Sequence, residues 1–406
     1  MQQKPKLYYR ENTTKIDDEL KRVIKTNRLF YSIRLIAFLL IITFFVFFVK
    51  NDYNPLYISF SAISLILFLV SIQFNAKSVF REQYLKNRRN INHDELEFLE
   101  HDYRKHDGGK KFKFLNPHLA DDFDLFGQGS MFQYLNRCST SVGEKRFAES
   151  LSKSELDVAA IVQRQQAIKE LSQNNEFVQN FQTHGMFIAE NGNEIPNVQQ
   201  WISETEENLK FFKGAILAFP LLNIVWIVLI GFGAFSLSSL IFPMLISMVV
   251  VFFNKKRLDM AHVRLGRTAK IFEKYAILMK LIEDEEFSSL YLNKLKAQLS
   301  NHDIKAGKSL KKLFKLLNNF DVRYNVFVTI LLNSLMVFDL QIYCRLEKWK
   351  SLHRGVIDRW FKALAEVDEL LSYSVFAFNN QETVVYPEVS DKDFADRKST
   401  RLNSSH

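Results

Sequence analysis

Few residues in this chain combine the right type with the right spacing for chemistry. Gly307-Lys308-Ser309 has the ending of a phosphate-binding loop. Such a loop needs a glycine five positions earlier, where the backbone wraps the phosphate, and His302 stands there. The stretch is also Lys-rich and helical in its spacing, so no nucleotide site is expected at it. His101, Asp102, His106 and Asp107 offer imidazole and carboxylate groups that suit zinc or manganese. A spacing of five keeps the two histidines off one helix face, and a solvated loop is expected instead. Asp121, Asp122 and Asp124 lack the spacing of a calcium loop and read as a loop that caps the next helix. Cys138 has only Arg137 beside it to lower its thiol pKa, too little to mark a nucleophile. No Ser-His-Asp arrangement is legible. The expected list of catalytic, cofactor and metal residues is therefore empty.

Basic residues are the remaining candidates. Lys305, Lys308, Lys311, Lys312 and Lys315, then Arg345, Lys348, Lys350, Arg354 and Arg359, place cations along helical stretches with Trp349 and Trp360 among them. Such rows either follow a phosphate backbone or solvate a helix face. The basic cluster at 81–89 follows an apolar segment and fits anionic lipid. The whole chain has 54 Lys plus Arg against 45 Asp plus Glu, a net charge of +9 that serves either polyanion. Its 2 cysteines exclude a disulfide framework and a Cys-rich zinc site.

The elements that position these residues are helical and partly membranous. Phe is in excess, with 38 copies, and it clusters. Leu35 to Val49 carries no charge, and Leu56 to Phe74 is a second uncharged run. About 20 apolar residues span a bilayer core as a helix. The turn between them, KNDYNP, carries Pro55 as breaker, so residues 29–74 are expected to form a transmembrane hairpin. Gly214 to Phe253 is uncharged throughout, with GFGAFSLSS as its turn, and residues 214–253 are expected to form a second one. Pro220 and Pro243 fall inside these spans, where membrane helices tolerate them. Lys and Arg are dense in the arm 1–28, in 75–90 and at Lys255, Lys256 and Arg257, while the two turns hold only Lys50. The positive-inside rule then puts both turns outside and everything else in the cytoplasm, as in a multi-pass protein of the inner membrane.

The soluble parts, 75–213 and 254–390, read as mainly α. Phe147, Leu151, Ile161, Ile168 and Leu171 keep helical spacing, with Ser154 or Asp157 to cap a helix start. From Leu310 to Trp349 apolar residues recur at three and four residue steps without proline, which predicts one rod roughly 60 Å long. Residues 326–338 inside it are strongly apolar but short for a span, and helix core is expected there.

Asp124 to Gln173 resembles the start of the helical core domain of the MutS family of DNA mismatch repair ATPases. Ser130, Phe132, Leu135, Asn136, Thr140, Gly143, Arg146 and Leu151 fall on the first line of the family pattern, and Ile161, Arg164, Ile168 and Leu171 on the second. The preceding NPHLADDFDLFGQGS looks like a membrane-anchored subgroup that carries apolar hairpins around and within this core. The resemblance covers roughly residues 94–390 and makes Gly143, Arg146 and Arg164 the core-motif residues. It implies a MutS-like core and lever domain, with the stretch Ser309 to Trp349 as the lever. Trp360 to Phe378 would lead into an ATPase domain. The complete protein would bind ATP and Mg, bind DNA, and dimerise through that domain.

Three departures shape the expectation. Lys153-Ser154-Glu155 stands where the family has a proline. The mismatch-reading Phe-x-Glu wedge has no counterpart, since Phe80-Arg81-Glu82 follows a membrane segment. The second hairpin sits where the family inserts its DNA clamp, so DNA binding is expected to be weak. Residues 395–406, ending DRKSTRLNSSH, read as translated sequencing adapter, and the chain as a fragment that stops before its phosphate loop. The rival from another class is a non-enzymatic membrane scaffold whose long helices bind a protein partner.

Overall fold

The computed structural model describes residues 4–153, 156–188, 194–204, 209–265, 269–301 and 304–389. His302, Ser154, Glu155 and the tail 395–406 lie outside them. The helices are α1 (Pro5–Lys50), α2 (Pro55–Leu99), α3 (Pro117–Asp122), α4 (Met131–Leu135), α5 (Ser141–Leu151), α6 (Val158–Gln173), α7 (Asn175–Gly185), α8 (Glu194–Ser203) and α9 (Lys210–Gly231). They continue as α10 (Ile241–Phe253), α11 (Lys255–Leu265), α12 (Ala269–Asp284), α13 (Leu290–Leu299), α14 (Ala306–Phe320), α15 (Val326–Met336), α16 (Phe338–His353) and α17 (Ile357–Asn379). Among the described residues the only sheet is the two-residue pair Ser300–Asn301 with Ile304–Lys305. The chain is mainly α, as its periodicity predicts.

The first of two compact units holds Met1–Leu135, Asn175–Met186 and Val375–Glu382. Its frame is the hairpin of α1 and α2. Asn54 caps α2 by accepting from the Leu56 N–H, and Pro55 takes the first turn, where its missing donor costs nothing. At the turn end Phe44 packs on Phe60, and Ser61 donates to the Ile41 carbonyl at 3.3 Å. Only 6% of the most apolar window of α1 and 17% of that of α2 is buried, so both present hydrocarbon-like surfaces outward. At the other end the partners become polar. Arg81 pairs with Glu19 at 2.7 Å, Arg89 with Asp17 at 2.8 Å, and Asn27 donates to Glu82 at 2.6 Å. The basic arm 1–28 is thus no separate segment. From Pro5 onward it is part of α1 without a break, and its acids meet the cations of 81–89 across the hairpin.

Among the described residues the second unit holds Asn136–Asn174, Phe187–Ser374 and the stretch 383–389. Its core is the packing of α12 on α14, with Phe272, Tyr275, Leu278, Leu310, Leu313 and Phe320 buried. The second apolar region forms α9 and α10, joined by a turn in which Gly233 adopts φ +76. Trp226 steadies that turn by donating to Ser239 at 3.0 Å. Among the described residues three helices are long and apolar enough to cross a membrane, or up to five if each of two bent helix pairs is one span.

The expected rod from Leu310 to Trp349 is broken. It divides into α14, a short 3-10 turn at Asp321–Tyr324, α15 and α16. Asn325 stops the first part by capping α15 through the Val328 N–H. Val337 stops the second in the left-handed region, at φ 47, and α15 and α16 meet at 82°. Apolar periodicity passes through both breaks unchanged: α14 and α16 each bury an apolar stripe, whereas the buried residues of α15 are Asn333 and Ser334. The expectation of helix core at 326–338 also fails: Val326, Phe327, Ile330 and Leu331 are exposed.

Candidate functional site

The motif residues of α5 and α6 gather against α17 in the second unit. Thr140 begins the arrangement as the N-cap of α5, its hydroxyl oxygen accepting from the Gly143 N–H at 3.0 Å. A helix start leaves orphan N–H groups and a partial positive charge. Asp368, wholly buried on α17, supplies the anion. Its carboxylate accepts from the Ser139 N–H at 3.1 Å, the Thr140 N–H at 2.9 Å and the Thr140 hydroxyl at 2.7 Å. Burial nonetheless pushes its pKa up to about 6, against the hydrogen bonds from Thr140 and Ser139 that favour the charge. Gly143 is required by this contact. A Cβ there would lie 2.2 Å from Asp368 Oδ2.

One turn further, two arginines converge on two glutamates. Arg164 of α6 pairs with Glu369, and its other nitrogen lies 3.4 Å from Glu366. Arg146 of α5 reaches Glu369 at 3.2 Å and Glu366 at 3.5 Å. Tyr291 of α13 donates to Glu366. Burial raises the Tyr291 phenol to about 12, helped by Glu366, and Tyr373 is likewise held at about 12 by burial and then Glu369. Burial opposes the charge of Arg164, but Glu369 and Tyr291 outweigh it and its pKa is raised. Glu369 is fully buried while Arg146 is half exposed, so Arg164 is the partner that matters most. Buried charges need such pairing, and removing one partner strands the other. The arrangement has the chemistry of a joint: it locks α5, α6 and α13 to α17 through directional, charged contacts.

Cys138 belongs to the same joint. Its sulfur lies 3.3 Å from the Ser372 hydroxyl and 3.6 Å from the Asp368 carbonyl. Burial and then Asp368 push the thiol well above its ordinary pKa, so Arg137 does not activate it.

The predicted phosphate-contacting residues divide. Lys308, Lys311, Lys312 and Lys315 are exposed along α14, opposite its buried leucines, and Lys305 is exposed just before its first residue. Arg345 and Lys348 are exposed on α16, and Arg359 on α17. Arg354 is exposed too and donates to the Ser203 carbonyl at 2.9 Å. Lys350 turns inward. It is 3% exposed, pairs with Glu347 at 2.8 Å and lies over the Trp201 ring. It is removed from the candidate contacts, because helical phase places it on the buried stripe with Trp349 and Leu346.

At Gly307 an acid takes the place an anion would need. The Gly307 N–H donates to Glu283 at 3.1 Å, and Ala276 O would lie 3.0 Å from a Cβ there. His101, Asp102 and Asp107 are exposed in a loop, while His106 stacks on Phe98 at 4.6 Å. Asp121 and Asp122 end helix α3 and are not in a loop, Asp121 pairs with Lys113 at 2.6 Å, and the Asp124 carbonyl accepts from the Met131 N–H at 3.0 Å. Among the described residues His93, Asp94 and Glu97 are grouped as metal ligands would be. The Lys105 ammonium pairs with Glu97 and lies 3.8 Å from Asp94, where a cation would sit.

Asp368, Glu366 and Glu369 were missed by sequence reasoning. Their signal is an acid on an apolar stripe: Leu364, Val367 and Leu371 flank Asp368 at core spacing. Comparison with known protein families, curated proteins and solved structures finds no match to this chain.

Proposed function

We propose that this chain is the core and lever part of a membrane-anchored MutS-like ATPase. The observation that carries the reading is the meeting of Thr140, Gly143, Arg146 and Arg164, the residues of the motif, on one helix, α17. That helix comprises the stretch that resembles the family's lead into its ATPase domain. In the complete protein ATP and Mg would be held by a domain after residue 390, and two copies would dimerise through it. The nucleotide state would reach the core through the Asp368 and Glu369 contacts. With the rod broken at Asn325 and Val337, α17 takes over the lever's role.

The apolar hairpins at 29–74 and 214–253 anchor this machine in the cytoplasmic membrane, with both turns outside and the helical parts in the cytoplasm. The basic excess beside the apolar runs supports this orientation. DNA binding is weak, carried by the exposed cations of α14 and α16, and indifferent to mismatches, because no wedge or clamp is legible.

The test is the reading frame beyond residue 390. A Gly-x-x-x-x-Gly-Lys-Ser/Thr loop after an apolar strand supports the ATPase. A stop codon there overturns it in favour of a membrane scaffold.

A further inference from the structure

The helix α15 has a place in the fold that its sequence does not advertise. Its outer residues Val326, Phe327, Ile330 and Leu331 are between 48% and 87% exposed. Its other side packs against α9 and α10, the second apolar hairpin. At its C-terminal end the carbonyls of Ser334 and Leu335 accept from the side-chain amide of Asn223, at 3.3 and 3.1 Å. Asn223 is 2% exposed in α9, and the same amide reaches Ser247 of α10 at 3.0 Å.

Those contacts fix a depth. Lys213 and Lys255 are the charged residues nearest the hairpin on either side. At 1.5 Å per residue, Asn223 stands about 15 Å along α9 from Lys213, and Ser247 about 9 Å along α10 from Phe253. Both values fall well inside a hydrocarbon core about 30 Å thick. A helix that ends there exposes its last carbonyls to a medium with no donors. The two N–H groups of Asn223, shared with the Phe219 carbonyl and the Ser247 hydroxyl, are the donors within reach of those carbonyls. The N-terminal end is tied where charges are found. Arg323, just before the Asn325 cap, pairs with Asp259 of α11 at 2.6 Å; its second partner at 2.9 Å, Asp339, lies past the Val337 turn, where its N–H donates to Asn333.

We propose that Val326–Met336 is a re-entrant half-helix. It enters the bilayer from the side of Lys213 and Lys255, ends on Asn223 inside the apolar layer, and returns to the same side through the Val337 turn and α16. Lipid hydrocarbon covers its outer face, which continues the exposed apolar faces of α9 and α10 at Leu221, Ile224, Ile246 and Val249. The inference rests on α9 and α10 lying in the membrane, but not on any ATPase activity.

Spin labels test it. Single cysteines replace Phe327, Ile330, Ile224 or Lys308 in the full chain with Cys138→Ser and Cys344→Ala, reconstituted in phosphatidylcholine–phosphatidylglycerol vesicles. Relaxation by oxygen, which concentrates in lipid, is compared with relaxation by a water-soluble nickel chelate. Labels at 327 and 330 are expected to favour oxygen several-fold, as at 224, with the reverse at 308. Nickel-dominated relaxation at 327 and 330, with 224 still in lipid, overturns the half-helix alone. Weak relaxation by both reagents means that protein covers the face and overturns it too. Nickel access at 224 removes the membrane reading and the proposal with it. In Asn223→Leu, nickel access at 330 is expected to rise while 224 stays in lipid. An unchanged label at 330 would overturn the capping role of Asn223.

Discussion

Asp368 leaves no room for a side chain at Gly143: an added Cβ would lie 2.2 Å from Asp368 Oδ2. Gly→Ala inside a helix ordinarily stabilises by about 1 kcal/mol. Here the sign reverses. Gly143→Ala is expected to destabilise by about 1–3 kcal/mol, the usual cost of overpacking. Thermal unfolding in detergent reads it, and a raised Tm would mean that α5 and α17 do not meet as described.

Arg164 and Glu369 form the most buried charge pair of the joint. Arg164→Met leaves the buried Glu369 with the half-exposed Arg146 as its remaining cation and is expected to cost about 3 kcal/mol. Arg146→Ala, at a half-exposed position, should cost no more than about 1 kcal/mol. Combining Arg164→Met with Glu369→Leu should recover much of the first loss. A double variant as unstable as the sum of the singles would show that the pair does not act as a unit.

Asp368 gives the joint a pH dependence whose direction is fixed. Its folded pKa, about 6, lies above its ordinary value of 3.8. The stability tied to the protonated form is therefore complete below the unfolded pKa and is lost as pH rises through about 6. A pKa raised by about two corresponds to roughly 3 kcal/mol. Asp368→Asn cannot titrate, and its amide sets a donor against the Ser139 and Thr140 donors, so it starts less stable. The Tm gap between the two proteins should narrow as pH rises from about 4 to about 6. A gap that widens would reverse the assignment.

The sequence made the helical class readable, because three and four residue periodicity survives in every long element. It made the cap of α6 readable too: Asp157 accepts from the Ala159 N–H at 2.9 Å. The breaks at Asn325 and Val337 were hidden because the apolar stripe runs through them in phase. The joint was half legible. Gly143, Arg146 and Arg164 stood out by resemblance, but their acids lie far along the chain on α17, at separations of 202 and 205 from Arg164. Lys350 reads like its exposed neighbours until helical phase is set against Trp349.

In the proposed function, DNA contact falls to the exposed cations of α14 and α16. Lys308→Gln with Lys311→Gln is expected to flatten the salt dependence of duplex binding, by about 0.9 log units per lost phosphate contact for each tenfold rise in salt. Lys350→Gln should leave that slope unchanged and lower the Tm instead. Equal slope changes for both variants would contradict the division of the basic row.

The central claim is that α17 leads into an ATPase that this membrane-anchored core serves. The direct measurement is Mg-dependent ATP hydrolysis by the protein from the complete reading frame, purified from membranes, with and without Arg164→Met. ATP turnover is expected, with the response to nucleotide at α5 and α6 weakened in the variant. A complete protein that neither binds nor hydrolyses ATP would contradict the claim.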